Sequence, residues 1–119
     1  MTTNSVASNA EMGALASVLL KRAMNEDGIV DPSVVVALLL VVEHATGLTE
    51  DFTAVNVARL VRETTMSANT FRRALARSES LGLIDRERGV EAGRPRGYVR
   101  ISSSVMTEVR RKLSGEDHD

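Results

Sequence analysis

Between Thr53 and Ser102 the spacing of the apolar residues changes in a fixed order, and that order restricts the fold more than any other feature. Val57, Leu60 and Val61 recur at helical spacing, as do Phe71, Ala74 and Leu75 after a break at Thr64-Thr65-Met66-Ser67. Leu83 to Arg88 then alternates with the period of a half-buried strand, and Tyr98 to Ser102 does so again. Thr53 reads as the cap of a helix over Ala54 to Glu63, and Ser67 as the cap of a helix to about Leu81, which Gly82 ends. Two short helices running directly into a strand pair predict a mainly α, α+β domain with a single core.

The flanking segments are also helical in pattern. Asn9 is placed to cap a helix from about Ala10 to Met24, with Met12, Leu15, Val18 and Leu19 on one face. Asp31 as cap and Pro32 at the first helical position start a second helix, which Gly47 closes. Its residues Val34 to Val42 are apolar nearly all round, so it must be surrounded by protein, which points to a partner subunit. A last helix runs from about Ser103 to Leu113. The expected organisation is a flexible arm over 1–8, one domain over 9–113 and a polar tail over 114–119.

Composition removes several classes of function. The chain of 119 residues has no cysteine, so disulfides, thiolate metal sites and cysteine nucleophiles are absent together. Its two histidines, His44 and His118, have no ligand-like spacing, so no metal is expected. Ser102, Ser103 and Ser104 lack a His–acid partner, and neither a phosphate-binding glycine loop nor paired carboxylates occur, so neither enzyme activity nor a cofactor is expected. The first residues have no secretory pattern. The longest apolar run falls far short of the ~20 residues that span a bilayer. A cytoplasmic protein with no membrane partner is the expectation.

The net charge of −1 conceals an asymmetry. From Arg59 to Arg100 ten arginines face five acids, a net of +5 that leaves −6 on the rest. Such a split predicts a positive face on an acidic body. Arginine suits bidentate contact with phosphate and with guanine.

Two helices around Thr64-Thr65-Met66-Ser67 make a helix-turn-helix, and the strands around a basic loop add a wing. The segments Val57-Ala58-Arg59-Leu60-Val61, Met66 to Leu75, Leu81-Gly82-Leu83-Ile84-Asp85-Arg86 and Gly93-Arg94-Pro95 together resemble the MarR-like winged-helix regulators, over roughly Pro32 to Leu113. The resemblance implies a winged helix-turn-helix with a two-stranded wing and extra terminal helices, and it implies double-stranded DNA as the partner. Carried over by position, Asn69, Thr70, Arg72 and Arg73 become base readers, with Ser67 and Ala68 at the helix start and Arg77 on a phosphate. Ser78 departs from the family, where a core leucine is usual, and unsettles the register of the second half of that helix.

In the wing, Arg94 and Arg96 flank Pro95 in a stretch similar to the Gly-Arg-Pro core of AT-hook peptides, which places Arg94 in a narrow A·T-rich minor groove. Arg88 is a further wing contact; from sequence, Arg86, Arg88 and Arg100 cannot be divided between phosphates and local acids. The family implies a homodimer through the terminal helices and, often, a small-molecule effector, which no residue here identifies. The leading expectation is a dimeric transcriptional repressor. The alternatives are a centromere-binding protein of a plasmid partition system, a phage or nucleoid architectural protein, and a winged helix used only for protein contact.

Overall fold

A computed structural model describes residues 8–45, 48–62 and 64–115. The first helix, α1, spans Asn9–Arg22. Its cap is Ser8, one residue before the expected Asn9: Ser8 Oγ accepts from the Glu11 amide at 3.1 Å and the Ser8 amide donates to Glu11 Oε1 at 2.8 Å. Either residue can cap, and the glutamate three positions after Ser8 decides between them. Ser8 therefore belongs to the domain, while the rest of the expected arm lies outside the described residues.

Helix α2, Pro32–His44, starts as expected, with Asp31 Oδ1 accepting from the Ser33 amide at 3.0 Å. The expected stop at Gly47 lies outside the described residues. Val34, Val35, Ala37, Leu38, Val41 and Val42 are buried and Leu39 and Leu40 half-buried. Most of the surrounding protein is the chain's own: α2 packs against α1, α3 (Val57–Val61) and α4 (Ala68–Ser80), with Val36 left exposed.

The stretch after α2 departs from expectation. Thr53–Val55 forms a strand, β1, instead of opening a helix, and α3 begins only after Asn56, whose side chain accepts from the Arg59 amide at 3.1 Å. Threonine and valine suit a strand, and three register pairs to a distant strand outweigh an isolated helical turn. Glu63, the expected helix end, lies outside the described residues.

Helix α4 follows its expected cap, Ser67, and closes before Gly82, which adopts φ +74°. Phe71, Ala74, Leu75 and Ser78 form its buried stripe. Ser78 is fully buried, and its hydroxyl donates to the Ala74 carbonyl at 2.7 Å. That bond to the preceding turn satisfies a polar group where a leucine was expected and leaves the helical register intact.

Strands β2 (Ile84–Glu91) and β3 (Arg94–Ile101) form a hairpin longer than its sequence signals. The expected loop from Gly89 to Gly97 is mostly strand, and Ala92 and Gly93 alone turn the chain, with φ of +52° and +79°. Both signs match the two-residue turn that follows the natural twist of a hairpin. The pair flanking such a turn, Glu91 and Arg94, is hydrogen-bonded, so Val90 and Pro95 form the next, non-bonded pair. The amide that proline lacks would then lie on the outer edge of β3, beyond the last pair with β1, Val55 with Gly97. The sheet is three-stranded and antiparallel in the order β1-β3-β2, where the sequence predicted two strands.

Helix α5, Ser103–Leu113, is capped by Ser102 and buries Val105, Met106 and Val109. It packs on α1, whose Leu15, Val18 and Leu19 are buried. Arg22 clamps the pair, donating through Nε to Glu108 Oε1 at 2.8 Å and through Nη1 to Ser104 Oγ at 2.9 Å. The apolar stripes of the terminal helices, expected at a subunit boundary, thus bury each other within one chain. The whole is an α+β domain around one apolar core.

Candidate nucleic-acid interface

Because α4 buries positions 71, 74, 75 and 78, helical geometry turns Asn69, Arg72, Arg73, Ala76 and Arg77 outward, and all five are exposed. The first turn is organised by its cap. Ser67 Oγ accepts from the Thr70 amide at 3.1 Å and donates to Thr70 Oγ1 at 3.0 Å. Thr70, one of the expected base readers, is half-buried and tied into this cap, and Ala68 is also half-buried. Arg77 Nε lies 3.5 Å from Oδ2 of Asp31, the residue that caps α2. This couples α4 to the start of α2 through an exposed ion pair of small energetic weight. Arg72 and Arg73 make no hydrogen bond or ion pair among the described residues.

The hairpin sorts its charges by strand alternation. Residues directly opposite in an antiparallel pair share a face, so Ile84, Arg86, Arg88 and Val90 lie in one row with Gly97, Val99 and Ile101. Ile84, Val99 and Ile101 are buried against the helices, so this row is the one on the α4 side. Arg86 in it reaches Glu79 of α4 at 3.8 Å, and Arg88 is exposed without a partner among the described residues. Asp85, Glu87, Tyr98 and Arg100 occupy the other row. There Arg100 Nε donates to Asp85 Oδ2 at 3.0 Å, and its guanidinium lies 4.4 Å from the centre of the Phe52 ring. Gly89 is in the same row, where a Cβ would come within 2.9 Å of the Tyr98 ring, so the glycine gives the tyrosine its place.

This separates the arginines that the sequence left unsorted. Arg100 is engaged by an acid and a ring on the far side, Arg86 leans on α4, and Arg88 projects on the α4 side. The expected basic tip is rearranged: Gly93-Arg94-Pro95 does not form the apex, because Arg94 and Pro95 are strand residues and the turn belongs to Ala92 and Gly93. Arg96 pairs with Gly89 in the row of Tyr98 and Arg100.

Between α4 and the sheet lies an open cleft of about 510 Å³. Val55, Leu75 and Val99 give it apolar walls, Arg72, Arg86, Arg88 and Arg96 line it together with Glu79 and Glu87, and Tyr98 also borders it. Sequence reasoning did not find this cleft. The alternation Asp85-Arg86-Glu87-Arg88 could have signalled that the arginines and acids of β2 fall in different rows, but only the burial of Ile84 tells which row continues the core face.

Comparison with known proteins gave no match. No family model, curated protein or solved structure is similar to this chain. Among the described residues no group of three or more His, Asp or Glu side chains is placed to hold a metal ion. No helix among them is long and apolar enough to cross a membrane.

Proposed function

We propose that this chain is a winged helix-turn-helix protein that binds double-stranded DNA with sequence preference and acts as a dimeric transcriptional regulator in the cytoplasm. The observation that carries the reading is that Arg72 of α4 and Arg88 of the hairpin border one open cleft, with Arg73 exposed on the same helix. In this reading α3 and α4 are the helix-turn-helix and β2–β3 is the wing. Helix α4 enters the major groove, where Asn69 suits adenine and Arg72 and Arg73 suit guanine. Ser67 and the free amides of the first turn, including that of Ala68, take a phosphate at the helix start. Thr70 holds the cap that orients those amides. Arg77 exchanges Asp31 for a phosphate, a substitution that a weak exposed pair permits. The cleft seats the sugar–phosphate strand between the two grooves, with Arg86 and Arg88 along it. Arg94 and Arg96 lie further along the hairpin as flanking contacts.

The dimer uses the outward side of α1, where Leu20 is 48% exposed and Met24, just past the helix end, is 47% exposed. A symmetric pair would present two α4 helices to half-sites about one helical turn apart, or a multiple of it.

Selection of bound sequences from random duplexes, followed by a salt titration, tests the proposal. The expected result is a palindromic site whose affinity falls steeply with salt, with a slope of about −0.9 per phosphate neutralised. A chain that enriches no sequence and holds no duplex at low salt is not a DNA-binding protein.

A further inference from the structure

Val90 is 73% exposed, more than any other large apolar side chain among the described residues. It sits two residues before the turn at Ala92-Gly93, in the row of Arg86 and Arg88 on the α4 side, and its register partner is Pro95. β2 leaves the core at Ile84, and six residues at about 3.4 Å each carry Val90 roughly 20 Å outward. Past the last β1 pair at Gly97 the hairpin is a bare two-stranded ribbon. The branched shape of Val90 suits a strand, but it packs on no core residue, because the last buried residue of this row, Val99, pairs with Arg86 four positions earlier. What it offers is an apolar surface at the hairpin tip beside two cations.

We infer that Val90 is a wedge that enters the duplex between two base pairs from the groove flanking the α4 site and bends the DNA. The inference rests on the DNA-binding reading above and adds to it the kind of site preferred: one with an easily unstacked step under the hairpin tip. Arg88, one pleat behind Val90, and Arg86, one further, supply the charge that brings a polyanion onto this row. The minor groove is only about 6 Å wide, so a ribbon tip enters it by opening it, and apolar wedges at such places kink the duplex toward the major groove. Pyrimidine–purine steps yield most easily, which gives preference at a position where no base edge is read.

The test measures binding and end-to-end distance together, by energy transfer between dyes at the ends of a duplex of about 30 base pairs that carries the selected site. Wild type is compared with Val90→Thr, which keeps the branched shape and strand preference but replaces a methyl by a hydroxyl, and with Val90→Ala. Wild type should bend the duplex by about 20–90°. Both variants should leave it nearly straight and bind roughly 3–10-fold more weakly. A straight duplex under wild type, or an equal bend under the variants, overturns the wedge while duplex binding stands. Failure of wild type to bind any duplex overturns both readings.

Discussion

Arg88→Ala and Arg100→Gln each remove one positive charge from the same hairpin, yet they should act differently on DNA. Arg88 is exposed in the row on the α4 side and has no partner among the described residues. Arg100 is in the other row, 3.0 Å from Asp85 and against Phe52. If Arg88 neutralises one phosphate, its loss reduces the slope of log affinity against log salt by about 0.9 per subunit. Between about 50 and 200 mM salt that lowers the salt-dependent loss of affinity by roughly 3.5-fold per subunit. Arg100→Gln should leave the slope unchanged and instead lower stability by about 0.5–1 kcal/mol, the worth of a half-exposed ion pair and ring contact. Fluorescence anisotropy at four salt concentrations gives the slopes, and thermal melts give the stability. Equal slopes for the two variants, or a larger change for Arg100→Gln, would refute the assignment of rows to DNA and to the protein's own acids.

Ala92 holds φ +52° without being glycine, and asparagine followed by glycine is the favoured pair for this turn. Ala92→Asn should therefore raise Tm by about 2–5 °C, corresponding to about 0.5–1 kcal/mol, and a melt that falls would contradict the turn. Leu20→Glu places a charge on the outward face of α1 without touching the core; sedimentation should show wild type as a dimer and the variant as a monomer of unchanged helicity. A variant that stays dimeric would move the interface elsewhere.

Local signals were legible where they decide structure alone. Asp31-Pro32 and Ser67 fixed the starts of α2 and α4, because a cap or a proline at the first position acts within one turn. Asn9 was the expected cap of α1, but the reciprocal bond with Glu11 puts the cap at Ser8. β1 was hidden because Thr53 caps a helix as readily as it joins a strand, and what selects the strand is pairing with Val99, forty-six positions away. Pro95 looked like a loop breaker because its tolerance depends on which edge of β3 lacks a neighbour. Ser78 looked like a defect because its partner is a backbone carbonyl. At the candidate site, the outward arginines of α4 followed from helical spacing, whereas the cleft and the division of the hairpin arginines depend on how α4 and the sheet come together.

β1 sits between α2 and the cap of α3, and its three residues are paired with the middle strand of the sheet. That ladder ties the hairpin to the start of α3, so a swing of the hairpin relative to α3 would strain it. If α4 and the hairpin bind one long helical ligand as proposed, that tie resists adjustment on the protein's side and leaves more of it to the ligand. The affinity of such a protein would then be written as much in the pliability of its target as in the letters it carries.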